Sequence, residues 1–263
     1  MTPRETTPAA GTDGAEPRTG RGPVVLVDAD FRALADPLAR DPQFNAARLA
    51  ARTKLATIGK RAAARIAEDG LALDTRSSIH NPHPFNHMRV SRLWTYLVRQ
   101  KKDKTKLKRE LGPELAKDLD AAYRNAYLCV AIEADAVEVS LRIHADAWID
   151  STNLTRRIQR EGFGELVRVL NRLDGYRLRM HDWKGEWPCE TIETSAMEEF
   201  LRYWKPGEHR FAIERRWPAP EGARGEVCAE GFDDVLVREL ARLVPAYRWI
   251  AWSAESDHLF GGS

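Results

Sequence analysis

Three histidines fall within eight residues in the stretch SSIHNPHPFNHMRVSRLW: His80, His83 and His87, threaded between Pro82 and Pro84. Imidazole nitrogens bind zinc readily, and metal ligands are often closely spaced. The spacing H-x2-H-x3-H therefore nominates His80, His83 and His87 as a divalent-metal site, with His144, Asp146 or His181 as further lining groups of a metal-assisted hydrolase or nuclease. The pattern is incomplete. A helical zinc pair places two histidines at i and i+4 around a Glu, whereas His83 and His87 bracket Pro84, Phe85 and Asn86. A plainer role for His80, Asn81 and Asn86 is to hydrogen-bond loop and helix-end backbone. Asp146 and Asp150 of DAWID offer two carboxylates of the kind two-metal nucleases use, although Asp150 also fits a helix cap.

Arginine supplies a second chemistry. In EADAVEVSLRIH the alternation puts Glu138, Ser140, Arg142 and His144 on one face of a strand. In YRLRMH it does the same for Arg177, Arg179 and His181. If these strands are neighbours, the residues form an anion-binding face that holds phosphate or carboxylate through the guanidinium fork. The alternative is an ordinary wet face of an antiparallel sheet, paired with Glu133, Glu138 and Glu214. No Walker loop, G-x-G-x-x-G, G-x-S-x-G or paired CxxC is present, which argues against the common nucleotide-binding enzymes.

The net charge of +2 conceals a strong asymmetry. Arg40 to Arg109 holds seventeen Lys and Arg against five acids, and the rest of the chain is acidic on balance. Such a block attracts polyanions. Its candidates are Arg48, Arg52, Lys60, Arg61, Arg65, Arg89, Arg92, Tyr96, Arg99, Lys101, Lys102 and Lys104, facing nucleic acid or the surface of an acidic protein. Cations neutralising phosphates give salt-dependent, sequence-tolerant affinity, and Tyr96 can stack on a base. The competing expectation is that the acidic half neutralises these charges within the molecule.

Elements must position these groups. Leu49, Leu55, Ile58, Ala62 and Ile66 recur at helical spacing and predict a helix from Asn45 to Glu68 with cations on its other faces. Pro82 and Pro84 make the histidine stretch a loop. A second helix is expected from near Pro84, with Val90, Leu93, Trp94 and Leu97 as its apolar stripe and Arg89, Arg92, Tyr96 and Arg99 beside it. PELAKDLDAAYRNA reads as a further helix. Residues 127–144 read as a β-hairpin turning near Ala134-Asp135. YRLRMH and HRFAIERRW read as strands. STNLTRRIQREGFGELVRVLNRL reads as one or two helices capped by Asp150 or Ser151, and TSAMEEFLRYWK as a helix with a Ser195–Glu198 capping box. The C-terminal helix breaks at Pro245. PVVLVD can form a short strand. Helices first, then strands interleaved with helices, predict an α+β fold: a mostly antiparallel curved sheet packed with helices, forming one domain over 23–263.

Residues 1–22 are rich in Thr, Pro, Gly and charge and are expected to form a disordered tail. Hydrophobic residues make up 43% of the 263, enough for a sizeable core. No signal peptide or run of about 20 apolar residues is evident. Three cysteines, odd in number and far apart, suit reduced thiols. These features suggest a cytoplasmic protein with no membrane partner and no obligatory cofactor beyond a possible divalent metal.

The stretches RIAEDGLALDTRSSIHNPHPFNHMRVSRLWTYL and YRNAYLCVAIEADAVEVSLRI together resemble the YktB-like group of uncharacterised bacterial proteins. The shared order is a helix, a His- and Arg-bearing stretch ending in aromatics, then a strand hairpin, over residues 45 to 215. The resemblance implies a compact α+β fold around a curved sheet; it implies no activity and carries over no site residue. The KKDKTKLKRELGPELAKDLD insertion departs from the group's pattern. From the residues themselves, the expected function is a non-enzymatic binding protein that engages nucleic acid or another polyanion through a basic helical surface. The alternatives are the His-lined hydrolase and a subunit docking on an acidic partner.

Overall fold

Alternating apolar side chains build the sheet, and the apolar set on one face decides where the helices go. In the computed structural model, residues 22–112, 114, 119, 121–180, 183, 185–222 and 225–260 are described. The strands are β1 (Leu73–Ser77), β2 (Arg92–Arg99), β3 (Tyr127–Glu133), β4 (Ala136–Ile143), β5 (Arg177–Met180), β6 (Glu186–Pro188) and β7 (Phe211–Pro218). They form one open antiparallel sheet in the order β1-β2-β3-β4-β7-β5-β6. Leu93 and Leu97 of β2, Leu128, Val130 and Ile132 of β3, and Val137, Val139 and Leu141 of β4 are fully buried in one continuous apolar core. That core spans Leu26 to Ala251.

The helices are α1 (Asp28–Arg32), α2 (Asn45–Glu68), α3 (Lys101–Leu111), α4 (Trp148–Glu161), α5 (Gly164–Leu170), α6 (Thr194–Tyr203), α7 (Phe232–Arg242) and α8 (Val244–Ile250). Helix α2 lies across β1 and β2 and packs against α7. Its buried side is Arg48, Ala51, Leu55, Ile58, Gly59, Ala62 and Ile66. Leu49, expected in the core, is 43% exposed. The stripe that turns inward at this end of the helix runs through Arg48 instead. No helix among the described residues is long and apolar enough to cross a membrane.

Several expectations are corrected. The helix expected from Pro84 is a single 3-10 turn (Pro84–Asn86) followed by strand β2. Val90, Leu93, Trp94 and Leu97 fit a helical stripe. However, β2 alternates: Leu93, Thr95 and Leu97 are buried against α2, while Arg92, Trp94 and Tyr96 face the other way. Trp, Thr, Tyr and Val favour the pleated surface, and pairing with β1 and β3 outweighs the coincidental 3.6 spacing. PVVLV runs extended without joining the sheet, and the Val24 N–H donates to Asp233 Oδ2 at 2.8 Å. Helix α6 has Glu193 at its N-cap and no side-chain cap, so the Ser195–Glu198 box does not form. Helix α4 starts at Trp148, one turn earlier than an Asp150 or Ser151 cap allows. Strands β1 and β6 are additions, too short and polar to announce themselves. The expected tail, apart from Gly22, and residues 113, 115–118 and 120 of the helix expected in PELAKDLDAAYRNA lie outside the described residues; the described end of that stretch, 121–126, holds a single 3-10 turn (Ala122–Arg124) with extended backbone at Asn125 rather than an α-helix.

Candidate functional site

The histidine loop is anchored from beneath by a buried arginine. Arg48 is fully buried, and all its donors are used. Nε donates to the His80 carbonyl at 3.0 Å, Nη1 to the carbonyls of Ala33 and Leu38, and Nη2 to the Asp41 carbonyl and Asn45 Oδ1. Arg48 therefore ties α1, its following turns and the loop to α2, and its guanidinium is closed to an external ligand. His83 caps the 3-10 turn: Nδ1 accepts from the Phe85 N–H at 3.3 Å, and its own N–H donates to Asn86 Oδ1 at 2.8 Å. His87 is left-handed, with φ 54°. Burial, reinforced by Arg52 and Arg48, lowers the pKa of His80. Among the described residues, no three His, Cys, Asp or Glu side chains cluster as metal ligands, so His80, His83 and His87 are not gathered into a metal centre. His181 lies outside the described residues.

The basic block is divided between the two sides of the sheet. On α2, Arg52 Nε donates to the Ser78 carbonyl at 2.6 Å, Arg61 pairs with Asp233 and Asp234, and Arg65 pairs with Asp69 at 3.1 Å. Lys60 is exposed. Arg89 pairs with Asp36 at 2.7 Å. Lys101 and Lys102 open α3 and are exposed, whereas Lys104 is buried. Arg92 and Tyr96 lie on the opposite sheet face from α2, and Arg99 is buried at the end of β2. Of the expected pair of cationic helices flanking the loop, the first is α2, and the second is strand β2 followed by the cationic helix α3.

The open face of the sheet is where charged and aromatic groups converge. β4 and β5 are not neighbours, since β7 runs between them. The register nevertheless aligns Arg142, Ala212 and Arg179 in one row, with Ser140, Glu214 and Arg177 in the next. Glu138, 1% exposed, sits at the centre. It accepts both terminal nitrogens of Arg92 at 2.9 Å, Arg142 Nη2 at 2.7 Å, the Ser140 hydroxyl at 2.6 Å and Arg216 Nη1 at 3.2 Å. Glu133 bridges Arg92 and Arg216, and Glu214 bridges Arg142 and Arg179. Burial by itself would raise the pKa of Glu138, but Arg92, Arg142 and the Ser140 hydroxyl hold it well below the usual carboxylate range. Burial pushes the Cys129 thiol beneath Arg92 up to about 11, so it is not a thiolate nucleophile.

Beside this lattice stands a ladder of rings. Trp94 and Tyr96 stack at 3.7 Å, and Tyr96 and Tyr127 at 4.0 Å. Together these groups line a cavity of about 1030 Å³. Arginines from β1, β2, β4, β5 and β7 (Arg76, Arg92, Arg142, Arg179 and Arg216) contribute to it, with Arg210 just before β7. Their charge exceeds that of Glu133, Glu138, Glu214 and Asp146. His144 lies at the rim, its Nδ1 accepting from the Asp146 N–H at 3.2 Å and its ring edge against Tyr123. Arg76 and Arg216 were not anticipated as site residues. The available signal was their alternation on the polar faces of LDTRS and FAIERRW. No protein-family model matches the chain, and no curated protein matches it.

Proposed function

We propose that the chain is a binding protein for single-stranded nucleic acid, seated on the open sheet face rather than on the helices. The observation that carries this reading is the convergence of Arg76, Arg92, Arg142, Arg179, Arg210 and Arg216 around the stacked Trp94, Tyr96 and Tyr127 in one cavity. Arginines supply phosphate affinity, and aromatic rings on a sheet supply stacking for unpaired bases, which a duplex keeps inside its helix. The carboxylates hold the arginine forks in fixed orientations. Arg76 is exposed and has no ion pair among the described residues, so it is free to meet a phosphate first.

The test is a fluorescence-anisotropy titration of the full chain with oligonucleotides of about ten nucleotides, within the footprint of known single-strand grooves. Single strands should bind more tightly than duplex. Neutralising about three phosphates should give a log–log salt slope near −2, and Arg76→Ala should weaken binding and flatten that slope. Absence of binding at low salt would overturn the proposal. Capture of an acidic peptide in preference to both nucleic acids would reassign the face to a protein partner.

A further inference from the structure

We propose that the chain pairs with a second copy of itself through the free edge of β1, joining two sheets into one across a two-fold axis. β1 is an end strand: β2 pairs with one side of it, and among the described residues no strand pairs with the other. Backbone groups along an antiparallel strand point alternately toward its partner and away. The Ser78 N–H donates to the Trp94 carbonyl at 3.0 Å, which continues the β1–β2 ladder and sets its phase. Arg76 and Asp74, at steps of two before Ser78, therefore bond to β2. The N–H and C=O groups of Leu73, Thr75 and Ser77 point outward. An open row of this kind is a template for another strand.

The side chains decide the occupant. Centring the two-fold on Thr75 makes every outward residue a hydrogen-bonded pair: Thr75 meets Thr75, and Leu73 meets Ser77 of the second copy. In that register Asp74 falls opposite Arg76 of the second copy, and Arg76 opposite its Asp74, on the open face of the sheet. Both side chains are exposed, and both sit at the non-hydrogen-bonded positions where cross-strand side chains approach most closely. Charges on an edge usually keep strands apart. Here, sliding the second copy by two residues either way sets Asp74 against Asp74 or Arg76 against Arg76, so the charges select the centred register and favour it. The same register brings Ile79, 45% exposed, opposite Leu71 of the second copy. A strand pair of this length is a small contact on its own, and α2, which lies over β1 and β2, adds to it. At about 100° per residue, Leu49, Ala56 and Ala63 share the flank of α2 that carries Arg52, whose Nε reaches the Ser78 carbonyl just past β1. Arg61 and its partner Asp233 on α7 mark the opposite flank. Two copies of the small and apolar flank meet above the joined strands and cover Leu49, which is 43% exposed in the single chain. A carboxylate occupies one edge of the guanidinium fork, so Arg76 keeps N–H donors for a phosphate.

The proposal is tested by sedimentation velocity of the full chain from about 1 µM to about 100 µM. A dimer whose share grows with concentration is expected. Asp74→Arg and Arg76→Asp each change one exposed side chain and set like charges opposite one another across the axis. Either alone should weaken dimerisation by about tenfold or more. Mixed in equal amounts, the two variants bring opposite charges together again and should form a heterodimer about as tight as the parent dimer. Thr75→Pro removes an N–H that points away from β2, so the variant should fold, as judged by its circular-dichroism spectrum, and remain monomeric. If it does not fold, the two charge variants decide alone. A parent that stays monomeric at about 100 µM, single charge variants or a folded Thr75→Pro that dimerise as the parent does, or a mixture that stays monomeric would overturn the interface. Mass is the only readout, so failure of oligonucleotide binding would leave it standing.

Discussion

At the scale of single residues, Glu138 holds the open face together. One buried carboxylate meets Arg92, Arg142 and Arg216, and removing it leaves three guanidinium groups with the outer Glu133, Glu214 and exposed Asp135. Breaking a buried ion pair from one side typically costs about 3–5 kcal/mol. Glu138→Gln should therefore lower the unfolding free energy at neutral pH by about that amount, read from urea denaturation. The same carboxyl gives stability a pH dependence. Its pKa in the folded protein lies below its unfolded value, so its contribution is complete above the ordinary carboxylate range, about 4.3. The contribution is lost progressively as the pH falls below that. The gap between the parent and Glu138→Gln should thus hold from neutral pH down to the ordinary carboxylate range, about 4.3, and narrow progressively below it; a gap that stays constant on further acidification would refute the assignment.

At the scale of elements, the contact between α2 and β2 decides which face of the sheet is open. Gly59 sits in the middle of α2, where a helix former would ordinarily be preferred by about 1 kcal/mol. A Cβ built there meets Thr95 Cγ2 at 2.5 Å, so the glycine is what lets the helix lie close on the strand. Gly59→Ala should destabilise the protein despite the propensity gain, with overpacking costing about 1–3 kcal/mol. Adding Thr95→Ser, which removes the clashing methyl, should restore most of the loss. Thermal melts of both variants check the pair. The same contact explains the misleading reading of residues 90–97. Their apolar positions satisfy both periods over a short stretch, and only the partner strands on either side settle the choice in favour of β.

At the scale of the whole molecule, the charge segregation along the sequence is largely cancelled in space. Lys54 pairs with Asp30, Arg61 with Asp233 and Asp234, Arg89 with Asp36, and Arg99 with Asp150. The linings of the open sheet face and of a smaller cavity beside α3 each hold more Arg and Lys than Asp and Glu. Salt should therefore separate folding from binding. Between roughly 50 and roughly 500 mM salt, stability should shift by less than about 1 kcal/mol, because surface pairs contribute little and buried ones are poorly screened. Affinity for a single strand should fall more than tenfold over the same range. Parallel denaturation and anisotropy series make the comparison; a loss of stability matching the loss of affinity would contradict it.

The local pattern alone determined much of this protein. The long period of α2, the hairpin of β3 and β4, the alternation in β5 and β7 and the two C-terminal helices follow from side-chain spacing, because burial on one face is a short-range constraint. The α+β class follows from their order. Arg142, Arg177 and Arg179 could also be placed on the polar faces of their strands from alternation. Tertiary structure decided the rest. It turned Arg48 inward to bind four carbonyls, it inserted β7 between β4 and β5 so that their arginines share a row, and it placed Asp150 beneath Arg99. Each of these depends on a partner distant along the chain, and spacing within a segment carries no information about which remote carboxylate or carbonyl will meet a given guanidinium.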